Sequence, residues 1–156
     1  MRKAALAAWL ALALAGCGGD GEAGPVSPAG PPGPPPKRPG EGPPPAWVET
    51  ETGSIWLAYS TYCWGNTCAD FVAPSCSGEQ AAPRIELRRG ETVRFHLDFD
   101  PNEAVLTFFA EGGEPGQVTL DQSRTPTWQA DRAGAFTVFG SGDGRDASYA
   151  GCAVLR

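Results

Sequence analysis

Four cysteines, Cys63, Cys68, Cys76 and Cys152, are the residues with the most definite chemistry in this sequence. An even number of cysteines in an exported domain is typical of two disulfides. Gly65-Asn66 fits a two-residue hairpin turn, which would place Cys63 and Cys68 at facing non-hydrogen-bonded positions, where Cα atoms are about 4.5 Å apart. That separation admits a disulfide. The sequence therefore favours the pair Cys63–Cys68, which leaves Cys76 for Cys152.

Two other uses of these thiols stay open. Cys63 and Cys68 could form a redox-active pair, although they lack the C-x-x-C spacing and the helix N-terminus that lower the pKa of a thiol. Four thiolates could also bind zinc, which an oxidising compartment opposes. A metal-binding or redox-active domain is therefore an alternative to a domain with structural disulfides.

The other reactive side chains form no known catalytic motif. His96 is the only histidine, so a blue-copper site, which needs two, is excluded. We expect His96 on the solvent face of a strand. Asp98 and Asp100 could serve as a carboxylate pair in glycoside hydrolysis, and no serine stands in a nucleophile-elbow setting. A small hydrolase is the least favoured alternative, and we expect no catalytic residue, no metal site and no cofactor.

Tryptophans supply a second kind of candidate site. Trp47, Trp56, Trp64 and Trp128 lie in the region rich in strand-forming residues. Such side chains more often fill a core, but they could line a carbohydrate-binding or peptide-binding surface. Trp56, Trp64 and Trp128 are the candidates for a ligand face.

The elements that must position these residues are β-strands. Short runs of β-branched and aromatic residues alternate with turn signals about every ten residues, and no window has a helical period outside the N-terminal segment. Strands are expected near residues 55–64, 67–72, 84–87, 92–99, 104–109, 117–120, 127–130, 135–139 and 149–155.

The pattern of residues 93–99 shows which faces these strands present. Val93, Phe95, Leu97 and Phe99 alternate with Arg94, His96 and Asp98, so the first set should face a core and the second set solvent. We expect an all-β, antiparallel, immunoglobulin-like β-sandwich of about seven to nine strands over residues 47–156.

Two stretches resemble known bacterial proteins. Leu87-Arg88-Arg89-Gly90-Glu91-Thr92-Val93, followed by Ala133-Gly134-Ala135-Phe136-Thr137-Val138 and a last strand, resembles envelope immunoglobulin-like domains. Tyr62-Cys63-Trp64…Cys68-Ala69-Asp70 resembles a motif of small envelope lipoproteins. The resemblance covers residues 55–155. It implies fold and location, and it lends no catalytic residues.

The N-terminus predicts export and lipidation. Arg2 and Lys3 precede an uncharged Ala/Leu-rich run, residues 4–15, which as a helix would rise only about 18 Å and is too short for a membrane span. Leu14-Ala15-Gly16-Cys17 resembles the bacterial lipobox. This resemblance implies a signal peptide of residues 1–16, cleavage before Cys17 and acylation of Cys17 with palmitate-type chains that anchor the protein on the extracytoplasmic side.

Between lipid and domain, residues 17–46 are expected to be a disordered tether. Residues 18–46 are rich in Pro and Gly, have only Ala and Val26 as apolar residues, and favour polyproline II. We interpret it as a spacer rather than as a Pro-rich ligand for another domain.

The net charge of the protein limits which molecules it can bind. The formal net charge is −6 and no lysine follows Lys37, so nucleic acid is excluded as a partner. We therefore expect a lipid-anchored, non-catalytic binding or structural module whose partner is an envelope protein or a glycan.

Overall fold

The computed structural model describes residues 30–109 and 115–156, and these residues form eleven β-strands and no helix. In chain order the strands are β1 Trp47–Thr50, β2 Gly53–Trp56, β3 Ala58–Trp64, β4 Thr67–Ala69, β5 Arg84–Leu87, β6 Thr92–His96, β7 Glu103–Phe109, β8 Gly116–Thr119, β9 Thr127–Gln129, β10 Gly134–Gly142 and β11 Arg145–Leu155.

The strands form two sheets. One sheet has four strands in the order β2-β1-β6-β9, and the other has seven strands in the order β4-β3-β11-β10-β7-β8 with β5 also paired to β11. All pairings are antiparallel except β5 with β11. The all-β sandwich expected from the sequence is confirmed.

The chain has more strands than the expected seven to nine. The run 55–64 is divided at Leu57, because the chain leaves the four-stranded sheet after Trp56 and enters the seven-stranded sheet at Ala58. Leu57 is buried at this crossing, and its N–H donates to the Ala46 carbonyl at 3.0 Å. Strand β1 was not expected from the sequence.

The core lies between the two sheets. Phe95 of β6 packs on Phe136 of β10 with ring centroids 5.9 Å apart, and Trp128 of β9 packs on Phe108 of β7 at 5.2 Å. Val93, Phe95 and Leu97 are all buried, as the alternation in residues 93–99 predicts, because successive strand residues point to opposite faces.

Strand β11 is the central element of the seven-stranded sheet. Strand β10 pairs along one edge of β11, while β3 and then β5 pair along the other edge. The β10–β11 turn has positive φ at both central residues, 53° at Asp143 and 72° at Gly144. These angles fit a primed two-residue turn, whose twist matches that of the paired strands.

The folded part of the chain begins earlier than the expected boundary at residue 47. Pro43 and Ala46 are fully buried. The hydroxyl of the buried Tyr149 donates to the Pro44 carbonyl at 2.7 Å. For residues 43–46 the expectation of an unpacked tether is therefore wrong, because the proline rings add apolar surface that the sandwich covers.

Candidate functional site

An aromatic row crosses the outer face of the four-stranded sheet. Trp47 of β1 is the register partner of Trp56 on β2 and of His96 on β6. Side chains at paired positions point to the same face of a sheet. Since Val48 and Phe95, the neighbours of Trp47 and His96, point into the core, this row of Trp56, Trp47 and His96 lies on the outside.

Trp47 and His96 stack on each other. Their ring centroids are 3.5 Å apart and their planes differ by 2°. The Nε2–H of His96 donates to Glu49 Oε2 at 2.9 Å, and Arg94 lies 3.8 Å from the other oxygen of Glu49. His96 is therefore held from two sides, and its side chain is only 16% exposed. His96 thus lies on the outer face of its strand, as expected, but Trp47 covers one face of its ring.

Burial governs the charge of His96. It lowers the pKa of His96 below the usual 6.5, and the hydrogen bond to Glu49 offsets this effect only in part. The lowered pKa favours the neutral imidazole at pH 7, and in that form its contact with Glu49 is a hydrogen bond rather than an ion pair.

An open groove runs beside the aromatic row. It has a volume of about 450 Å³. Trp56, Trp47 and His96 form one side, and the lining is completed by Pro45, Leu97, Asp98, Arg124 and Thr125. Aromatic surface with a few charged groups at the rim is the usual character of a ligand-binding groove.

Arg124 fixes the charged rim of the groove. Its guanidinium binds Asp100 through two hydrogen bonds, Nε to Oδ1 at 2.5 Å and a second nitrogen to Oδ2 at 2.7 Å. These bonds lower the pKa of the Asp100 carboxyl and raise the pKa of Arg124. Both groups are exposed, so they can also meet a ligand. Asp100 is thus engaged by an arginine, and it lines the smaller groove beside Trp64 together with Asp98.

The tryptophans predicted for a ligand face divide into three cases. Trp56 lies in the aromatic row. Trp64 lies at a second, smaller groove that shares Asp98 and Arg124 with the first, and Arg145 stands over its ring at 5.4 Å. Trp128 is 5% exposed in the core, so its assignment to a ligand face is wrong. Its neighbours in the sequence, Thr127 and Gln129, are polar and exposed. This alternation along a strand indicates that Trp128 points to the core.

Both disulfides favoured from the sequence are present. Cys63 and Cys68 face each other across the β3–β4 hairpin with a Cα separation of 4.1 Å. Cys76 is bonded to Cys152 of β11 with a Cα separation of 5.3 Å. Within the described residues, no three His, Cys, Asp or Glu side chains gather in a way that could hold a metal ion. Cys17 lies outside the described residues.

Two groove residues were missing from the sequence-based set of candidates. Trp47 was considered with the other tryptophans but not favoured, and Arg124 was not considered. The alternation of Trp47, Val48 and Glu49 gave a signal for Trp47. Arg124 lies in the loop before β9, and no periodic pattern in the sequence indicates that its side chain reaches the groove.

Comparisons with known proteins returned no relative. No family model, curated protein or solved structure matches this chain. Among the residues that the structure describes, no helix is long and apolar enough to cross a membrane.

Proposed function

We propose that this chain is a lipid-anchored protein of the bacterial envelope whose sandwich is a non-catalytic binding module. The observation that carries the binding role is the row of Trp56, Trp47 and His96 on the outer face of the four-stranded sheet. Aromatic surface in an open, charged-rimmed groove is suited to holding a ligand by stacking and polar contacts.

The location rests on the sequence. Leu14-Ala15-Gly16-Cys17 supplies the lipobox, and the following Pro/Gly-rich stretch separates the lipid from the domain. Acyl chains bind a bilayer through about 0.8 kcal/mol per buried CH₂. The domain therefore needs no membrane-binding surface, and the aromatic groove is available for another partner.

The anchor is tested by metabolic labelling with a palmitate analogue in the bacterial host. The native chain should take up label and fractionate with membranes. A Cys17→Ser chain should do neither, while a Cys63→Ser/Cys68→Ser chain should be labelled normally. Label on the Cys17→Ser chain would contradict the proposed lipidation.

The groove is tested by photo-crosslinking in cells. A crosslinking amino acid at Thr125, on the groove, should capture a discrete envelope component, whereas the same amino acid at Asn66, in the β3–β4 turn, should not. Capture from Thr125 should disappear in a Trp47→Ala chain that retains its folding transition. Equal capture from both positions, or none from Thr125, would refute the groove as the binding surface.

A further inference from the structure

The proline-rich segment before β1 folds back onto the aromatic row. The indole Nε1–H of Trp56 donates to the Gly33 carbonyl at 3.3 Å. Gly30 lies so close to Trp56 that a Cβ atom there would stand 3.8 Å from two ring atoms. Pro31, between these two contacts, is buried. The segment of residues 30–36 is therefore seated against one end of the row.

A turn returns the chain to this position. Gly42 N–H donates to the Pro39 carbonyl at 2.8 Å, and Arg38 Nε donates to the Gly42 carbonyl at 2.6 Å. After the turn, Pro45 lines the groove beside Trp47. The residues on both sides of the turn thus lie along the same aromatic surface. We call residues 30–45 the strap.

The contact of the strap with Trp56 has the chemistry by which aromatic side chains hold proline-rich segments. Proline has no backbone N–H, so a proline-rich segment offers mainly carbonyl acceptors to a protein. Here the segment bends at Gly33, whose φ is 84°, and the Gly33 carbonyl accepts from the indole of Trp56. Aromatic-lined grooves bind proline-rich segments because the proline rings already restrict the free ligand, which then loses little entropy.

We propose that the groove binds proline-rich segments, and that residues 30–36 are a built-in occupant of its Trp56 end. This inference rests on the proposed function, because it names the ligand class of the same groove. An incoming proline-rich segment of an envelope protein would take the open part of the groove beside Trp47 and His96 and displace the strap from Trp56.

The first part of the strap, residues 30–36, holds its place weakly enough to be exchanged. Its hydrogen bond from Trp56 is exposed, and Pro32, Gly33, Pro34 and Pro35 are all exposed. Its advantage over a free ligand is attachment, which gives it an effective concentration of about millimolar order. A weak intramolecular occupant of this kind should raise the apparent Kd of a competing peptide by about threefold to tenfold.

The experiment titrates a proline-rich probe into the detergent-solubilised full chain. The probe is a synthetic peptide with the sequence of residues 30–38, and the control peptide has alanine at each proline. Binding is followed by the indole N–H signals in ¹H–¹⁵N spectra, with the Trp56 signal assigned by its loss in Trp56→Phe. The same titration is repeated on a chain that lacks residues 30–36.

The proline peptide should shift the Trp56 and Trp47 signals, and it should bind the deleted chain about threefold to tenfold more tightly than the native chain. Trp56→Phe should weaken binding, whereas Phe71→Leu, at an exposed aromatic residue that lines neither groove, should leave the affinity unchanged. The inference is overturned if the proline peptide does not bind the deleted chain or if the alanine peptide binds equally well.

The outcomes separate this inference from the proposed function. Thr125-dependent capture of an envelope component together with an inert proline peptide would overturn the ligand class and leave the binding module standing. Binding of the peptide without capture in cells would support the ligand class and refute the envelope role. If a soluble muropeptide shifts the same indole signals and the proline peptide does not, the ligand class of the groove would be a glycan and not a proline-rich segment.

Discussion

The two disulfides should contribute unequally to stability, because they close loops of very different length. Cys76–Cys152 spans 76 residues and Cys63–Cys68 spans 5. The loss of chain entropy in the unfolded state gives about 4.5 kcal/mol for the long loop and about 2 kcal/mol for the short one at 25 °C. A Cys76→Ala/Cys152→Ala chain should therefore lose about 2.5 kcal/mol more than a Cys63→Ala/Cys68→Ala chain.

Burial of Cys152 increases the difference in stability between the two disulfide variants. Cys152 is 3% exposed, whereas Cys63 and Cys68 are exposed on their hairpin. Removing the Cys152 sulfur leaves unfilled space in a packed region and increases the loss. The short-loop pair is therefore a matched control, because it removes the same number of sulfur atoms without disturbing the core.

Urea unfolding at 25 °C, followed by tryptophan fluorescence, measures both losses. With an m value of about 1–3 kcal/mol/M, a gap of about 2.5 kcal/mol separates the two midpoints by about 0.8–2.5 M. The long-loop variant should unfold at the lower urea concentration. Equal midpoints, or a lower midpoint for the short-loop variant, would refute the reasoning from loop length.

Three further changes test the site and its support. Because the pKa of His96 is lowered in the fold, the unfolded chain binds more protons, so stability should fall as the pH drops below about 6.5, and His96→Gln should remove that part of the pH dependence in urea titrations. Gly151→Ala should cost about 1–3 kcal/mol in the free energy of unfolding, since the new Cβ would stand 2.5 Å from the Phe136 ring. Glu91→Ala should cost about 1–3 kcal/mol in thermal unfolding, because the buried Glu91 carboxylate accepts the Arg88 N–H at 2.6 Å.

Each of these three substitutions has a control variant and a result that would contradict the expectation. Arg84→Gln, at an exposed position of β5, should keep the pH dependence, and persistence of that dependence in His96→Gln would assign it to another group. Ser148→Ala, on the same strand as Gly151, should be nearly neutral, and an equally mild Gly151→Ala would show that Phe136 moves aside freely. Glu91→Gln retains one acceptor oxygen, so a loss as large as that of Glu91→Ala would point away from this hydrogen bond.

Local patterns in the sequence predicted much of the fold. The alternation in residues 93–99 predicted the buried face of β6, because a strand repeats every two residues. Gly65-Asn66 predicted the hairpin that aligns Cys63 and Cys68, because that pairing depends only on the turn between them. The Cys76–Cys152 pair followed only because the other cysteines were already assigned.

The candidate site was less predictable because it depends on long-range pairing. Trp47 meets His96 through the β1–β6 register, which joins residues far apart in the sequence. No residue close to Trp47 or to His96 in the sequence specifies that register. Burial of Trp128 was predictable from its polar neighbours, whereas the return of residues 30–36 to Trp56 depends on the turn at residues 39–42 and on a contact that the proline content alone does not indicate.

The position of β11 has a consequence for the order of folding. Without β11, the seven-stranded sheet separates into the β3–β4 hairpin, the β10-β7-β8 group and an unpaired β5. Since β11 is synthesised after all the other described strands, these three parts cannot join into one sheet until β11 is available. The strands made earlier must therefore keep their β11-facing edges free until that last pairing forms.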